Sequence, residues 1–484
     1  MRTIFALAVA AHVAAFTACD LTVPDYNNAD LNDLQNNPTR SGIATAATGL
    51  LVAMRDEFDD RNGYVSLLGI VGRESYNFDG ADPRFITEML EGSLDPASPA
   101  FGANLWGERY RNIRQGDIIL NAVTTLDAIA PNAISDEEEA AIRGFTKTLI
   151  AHELLLVVNT RDSLGAVISI NPDPLADPEA LVTRDAALAE VAALLDEAKD
   201  DLEAAGGSSF PFPLSSGFAG FNTPATFVQF NRALKARVSV YRGTLDPAGA
   251  MTHFTAALSA LDSSFYTPDA SAAGRDIGVY HSFATGSGDN VNELFDPGSS
   301  PDIVAHPSIF DDAELLPGEI VRDDNTVDLR YQRKIRRVNS QTQRDLNTDL
   351  AFSIYGSASS PMPIIRNEEL ILLRAEAELG LSGPAAAVPF IDIVRTESGG
   401  LLGYAGPLTV DDVTTELLHQ KRYSLLFEGG HRWIDLRRYG RLDDPALLDI
   451  PPPDPREHQM NRAFPIPEAE CLARGVGIPC SVGP

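Results

Sequence analysis

Three residue classes in this 484-residue sequence have the means to do chemistry: 68 carboxylates, eight histidines and three cysteines. Their spacing argues against most catalytic uses. A nucleophile elbow, a His-Glu-x-x-His zinc helix, a phosphate-cradling Walker loop and a dinucleotide-binding glycine fingerprint each demand a fixed local order, and none occurs; Gly286-Ser287-Gly288 lacks the third glycine and a preceding strand. Asp60-Arg61-Asn62-Gly63 begins like a calcium loop, but Phe58 occupies the first ligand position and Gly69 stands where a bidentate glutamate belongs. Without a Cys-x-x-Cys pair the scattered histidines make no zinc set, so neither a metal nor a cofactor is expected. The carboxylates include enough candidates for a glycosidase pair, but such a pair is defined by a separation in space that spacing along the chain does not give.

The densest cluster of charged and aromatic residues runs from Lys421 to Gly440. A helix ending at Gly429-Gly430 is followed by a short one carrying Arg432, Asp435, Arg437 and Arg438 with Trp433 and Tyr439. This reads as a buried structural corner in which Arg432 and Arg438 pair with Glu428 or Asp435 and Trp433 fills core.

The elements that would position these residues are mostly helices. Ile142, Phe145, Leu149 and Leu156 share a face, as do Leu188, Val191, Leu195, Ala198 and Leu202 after an N-cap at Thr183, and Phe227, Phe230, Leu234, Val238 and Tyr241. Helical period returns at Asn367, with Leu370, Leu373 and Ala377 on one face and stops at Gly380 and Gly383-Pro384; Thr409 to Asp412 reads as a capping box for another helix. Between about Phe265 and Ser360 the chain turns to Gly, Ser, Asp, Asn and Pro clusters, expected as loops with a few short strands of their own. Small residues such as Ala375, Ala377 and Ala385 to Ala387 suit close helix pairs of tetratricopeptide character, although no strict repeat emerges. The expected fold is therefore mainly α, an irregular stack of helix pairs decorated with long loops.

A net charge of −30 argues against nucleic acid, whose recognition begins with a basic surface, so no nucleic-acid partner is expected, and it is expected to disfavour anionic glycans. At the N-terminus Arg2 precedes an apolar run from Ile4 to Ala18, too short for a comfortable membrane span and suited to a secretory signal peptide over residues 1–18. The run closes on Phe16-Thr17-Ala18-Cys19, which resembles the lipobox of bacterial lipoproteins, with Phe16 where leucine is usual. Lipidation at Cys19 would leave residues 19–40 as an Asn/Asp-rich tether; the alternative is ordinary cleavage near Ala15 or Thr17 and a plain Cys19 thiol. Setting Cys19 aside leaves Cys471 and Cys480 as an even pair, either a small disulfide loop in an exported protein or two free thiols.

The Lys421–Gly440 run closely resembles the hallmark of the SusD/RagB family, a helix of pattern R-x-x-E-L-x-F-E-G-x-R-W-x-D-L-x-R. It departs from that pattern at Ser424 and by an extra glycine before His431. Met362-Pro363-Ile364-Ile365-Arg366 with Leu370 to Glu378 resembles the family's P-x-x-R-x-x-E-x-x-L-x-x-A-E-A helix. Phe464-Pro465-Ile466-Pro467-Glu468 resembles its closing P-I-P turn, and Trp106 to Ile113 with Asn121 its W-x-x-x-Y-x-x-I-x-x-x-N helix.

The resemblance implies a SusD-like nutrient-binding domain over residues 41–484. Its helical frame would occupy about 41–264 and 361–440, and its loop-rich ligand face about 265–360. It implies a lipid-anchored protein on the outer-membrane surface that binds nutrients, typically oligosaccharides, without catalysis and partners a SusC-type TonB-dependent transporter. A surface polysaccharide hydrolase or a helical-repeat envelope adaptor is the alternative. Sugar recognition needs flat aromatic faces beside planar polar groups. Two segments offer that mixture: Arg73, Tyr76, Asn77, Phe78, Asp79 and Arg84, and Tyr280, His281, Asp289 and Asn290. Trp106 and Trp433 lie in scaffold motifs and are expected in the core.

Overall fold

The computed structural model describes residues 31–98, 101, 104–170, 177–286, 288–475 and 480–481. The signal peptide, Cys19 and the first part of the tether lie outside the described residues.

Long helices are stacked in chain order. Asn104–Ile129 packs on Asp136–Arg161, which packs on Arg184–Ala204, then Pro224–Leu245 and Ala250–Asp262. Three of them begin where the sequence provides a cap: Ser135 and Thr223 form capping boxes, and Thr183 accepts from the Ala186 amide. The apolar faces read from the sequence are buried, including Phe145, Leu149, Leu195, Phe227 and Phe230. Among the described residues no helix is long and apolar enough to cross a membrane.

The stack does not end at Asp262. Ala250–Asp262 packs directly on Asn367–Ser382, which packs on Pro384–Ile393 and Val410–Ser424. The intervening hundred or so residues are thus an insertion between two touching helices, closed at its base by antiparallel pairing of Gly278–His281 with Met362–Arg366. The insertion is more ordered than its composition implied. Ile335–Gln343 and Leu346–Phe352 form an antiparallel hairpin whose turn residues, Arg344 and Asp345, both have positive φ (49° and 68°), the backbone a tight two-residue turn requires. Ile303–Ala305 pairs with Ser75–Asn77, tying the insertion to the N-terminal part of the frame.

Gly380 does not stop its helix; the helix runs to Ser382, and Gly383 with φ +86° ends it. Gly380 instead lies against the ring of Phe254, and Gly243 lies against the same ring from the Pro224–Leu245 helix. A side chain at either position would enter space the ring occupies. Gly380→Val is expected to lower stability by about 1–3 kcal/mol through overpacking; an unchanged urea midpoint would show that Phe254 can move aside.

The Lys421–Gly440 corner is buried as a charge lattice. Glu428 pairs with Arg366 (2.8 Å) and Lys334 (2.7 Å), Lys421 with Glu376 (3.0 Å) and Asp435 (2.8 Å), Arg438 with Asp435 (2.6 Å) and Glu376 (2.7 Å), and Arg237 with Glu369 (2.6 Å). Arg432 does not take the partner its position implied. It donates to the Gly72 carbonyl (3.0 Å), while Glu428 is claimed by cations from the insertion and its exit strand. Trp433 is fully buried and its indole N–H donates to the Asn461 carbonyl (2.8 Å). Cys471 and Cys480 are joined in a disulfide, their Cα atoms 5.9 Å apart.

Candidate functional site

The base of the insertion faces the end of the first long helix, Arg40–Ala53. Arg55, just beyond it, donates from Nη1 to the Ser282 carbonyl and to Asp289 Oδ1, both at 2.6 Å. This clamps the 282–290 loop over the helix end. Burial works against the charge on Asp289, but the Arg55 hydrogen bond and the Asn290 amide outweigh it and hold its pKa below the usual carboxylate value.

Two depressions share the Arg55–Asp289 pair. On one side is a cavity of about 360 Å³ lined by Leu51, Val52, Leu214, Phe218, Tyr280 and Ile364, with Ser215, Ser282 and His281 adding polar groups. On the other is an acidic basin of about 500 Å³ bounded by Asp56, Glu57, Asp59, Asp60, Glu108 and Glu293, with Asn290 and Arg111 at its edge. Burial and the neighbouring Asp60 and Glu293 raise Asp59 to about 7, although the Glu293 amide donates to it.

Of the second sequence-nominated patch, Tyr280, His281 and Asp289 line the apolar cavity, and Asn290 with Asp289 lines the basin. Tyr280 is held in place by its hydroxyl, which donates to the Asp276 carbonyl (2.6 Å). His281 is a buried wall rather than a titrating group. Its ring packs 4.7 Å from Phe58, and burial, reinforced by Arg109 and Arg55, lowers its pKa to about 3.

The first patch is not assembled as an open surface. Arg73 is 1% exposed and spends its donors on the carbonyls of Leu447, Ile70 and Gln459. Tyr76 and Asn77 are 2% exposed because Ser75–Asn77 is paired with Ile303–Ala305, which places the Tyr76 ring between Phe78 and His306. These three therefore serve the interior. Phe78, Asp79 and Arg84 remain partly accessible, and Arg84 is held by both oxygens of Asp82. Trp106, buried against Tyr110 with ring centroids 4.5 Å apart, lines a separate cavity of about 470 Å³.

The apolar cavity presents an aromatic wall, hydroxyls and a fixed ion pair within reach of one another. That combination suits a neutral polyol with one apolar face better than bond-making chemistry. Sequence reasoning missed Arg55, Leu51, Val52 and Phe218; the local signal was faint, since Leu50-Leu51-Val52 reads as ordinary helical core although Val52 is 48% exposed.

Apart from Arg237, the charge lattice and its Trp433 corner fall within residues 318–470, which match the model of the SusD family. This region belongs to the SusD/RagB family. No curated protein matches the chain. Solved structures extend the likeness of the SusD-like chain to its whole fold. NanU of B. fragilis is 15% identical, with TM-score 0.64, covering 96% of this chain and 100% of its own. A SusD-like carbohydrate-binding protein from Bacteroides fragilis is 13% identical, with TM-score 0.66 and coverage of 91% and 99%. The surface glycan-binding protein A from Bacteroides thetaiotaomicron, solved with laminarihexaose, is 14% identical, with TM-score 0.64 and coverage of 90% and 98%. At such identities these structures establish a shared SusD-like architecture.

Proposed function

We propose that this SusD-like chain is a surface lipoprotein of the outer membrane that captures oligosaccharide and delivers it to a SusC-type TonB-dependent transporter. The cavity beneath the Arg55–Asp289 clamp carries this reading. Tyr280 and Phe218 offer faces to the C–H side of a pyranose ring, and the Ser215 and Ser282 hydroxyls, Asp289 and Arg55 offer partners for its hydroxyls. The same fold holds laminarihexaose in one neighbour, and another is described as carbohydrate-binding. Anchoring would come from Cys19 and delivery from docking to the transporter.

Calorimetric titration of the soluble form beginning after Cys19 with laminarihexaose and other neutral oligosaccharides tests the reading. Retention of intact ligand is expected, with Tyr280→Ala weakening it at least about tenfold, the equivalent of about 1.4 kcal/mol. Phe78→Ala, remote from the cavity lining, is expected to stay within about twofold of wild type. Release of shortened products would favour a hydrolase. Binding of envelope partners without any sugar would favour an adaptor.

A further inference from the structure

Tyr280 also lines a second cavity, of about 350 Å³, with a different electrical character. Its cations are Arg275, Arg333, Lys334 and Arg366, and its carboxylates Asp276, Glu368 and Glu428. The lining thus carries one excess positive charge in a chain whose net charge is −30. The buried members neutralise one another. Arg366 bridges Glu428 (2.8 Å) and Glu368 (2.6 Å), and Lys334 also holds Glu428 (2.7 Å).

Arg333 stands outside that arrangement. Its Nη1 and Nη2 donate to the carbonyl and hydroxyl of Ser398, each at 3.0 Å, and among the described residues no carboxylate lies within ion-pair distance of it. Burial and the nearby Arg275 lower its affinity for its own proton, with Glu368 and Asp328 acting the other way. Among the described residues Arg275 is matched by Asp276 alone (3.2 Å), which is half exposed, and such a pair contributes little. The remaining lining, Tyr280, Tyr355, Ile354, Pro361 and Pro363, is largely apolar ring and aliphatic surface.

We propose that this cavity is an anion subsite for the carboxylate of an acidic sugar, with Arg333 and Arg275 as its ligands and Tyr280 as the wall it shares with the neutral cavity. Guanidinium groups suit a carboxylate because their parallel N–H donors match its two oxygens. The global negative charge does not forbid this, because charges beyond about 8–10 Å are screened at physiological salt whereas contact pairs are not. The proposal deepens the glycan-binding reading and rests on it: the glycan taken would contain uronic-acid units.

The test compares an oligogalacturonide with its methyl ester, which lacks the charge and adds one methyl group, by calorimetry on the detergent-purified chain at low and physiological salt. The acid is expected to bind at least about tenfold tighter than the ester, with an advantage that shrinks as salt rises. Arg333→Ala is expected to abolish that advantage and leave the ester's affinity within about twofold. Equal binding of acid and ester by the wild-type chain overturns the anion subsite while leaving glycan capture standing. Binding of neutral glucans with no binding of the acid does the same. Failure of every sugar overturns both readings, and an acid preference untouched by Arg333→Ala or Arg275→Ala assigns the anion to a different place on the chain.

Discussion

Replacing Arg366 with alanine is expected to cost about 3–5 kcal/mol of stability, enough to unfold much of a marginally stable population. Arg366 is 4% exposed and neutralises two carboxylates from different parts of the chain: Glu368 in the helix that follows it and Glu428 in the turn beyond the Val410–Ser424 helix. Its Nη2 also donates to the Ser424 carbonyl. Removing the guanidinium would strand Glu368 without its closest cation and leave Glu428 with Lys334 alone. Because the penalty is that of an uncompensated buried charge, Arg366→Lys should recover part of it, and Arg366→Ala combined with Glu368→Gln should lose less than the sum of the single changes. Exposed pairs are a useful contrast: Lys199→Ala, which breaks a pair with Glu203, should cost less than about 1 kcal/mol. Urea unfolding of the five variants, Glu368→Gln alone included, decides the matter, and a loss below about 1 kcal/mol for Arg366→Ala would show that water or a rearranged Lys334 replaces the arginine.

Acid is expected to destabilise the protein steeply between pH 4.5 and 2. Burial opposes ionisation of Glu368, yet Arg366 and Lys334 overcome it and hold its pKa at about 2; Glu428, Glu369 and Asp435 are likewise depressed by their cationic partners. For a depressed carboxylate the folded state binds fewer protons than the unfolded one, so its contribution is complete above the unfolded value and is lost as pH falls through the folded value. Glu368 alone contributes about 3 kcal/mol of such dependence. Buried histidines act in the same direction, because burial lowers His281 to about 3 and His419 to about 4, whereas the unfolded chain protonates them below about 6.5. Between pH 4.5 and 6.5 a counter-current exists: burial raises Glu74 and Asp59 to about 7, and the folded state then binds more protons than the unfolded one. As pH falls further the unfolded chain protonates these groups too, Glu74 near its ordinary value of 4.5 and Asp59 near 3.8, so their opposition fades across the second interval. Urea midpoints at pH 7, 4.5 and 2.5 should show little change across the first interval and a sharp fall across the second. Equal midpoints at pH 4.5 and 2.5 would mean that the lattice carboxylates are not held ionised by the fold.

Local signals carried the helical frame. The faces through Phe145, Leu195 and Phe230, and the caps at Thr183 and Thr409, are short-range patterns with strong periodicity, and the structure buries or caps them accordingly. The motif segments were legible through their resemblance to the family's patterns, and the structure brings Arg366, at the end of a strand, onto Glu428, between two helices, beside the buried Trp433. The tertiary structure decided which aromatics face solvent. Tyr76 and Tyr280 are both candidates for a ligand face by sequence, yet pairing with the distant Ile303–Ala305 buries one, while pairing with Met362–Arg366 leaves the other between two cavities. It also decided which charge meets which. Arg55 reaches Asp289 because the insertion folds back on the frame, and Arg432 reaches the Gly72 carbonyl because the short His431–Arg438 helix packs on Tyr64–Val71. Helical period and capping are set by residues within a few positions of one another, whereas exposure and ion pairing depend on which distant segments come into contact, and a single sequence read locally contains no term for that.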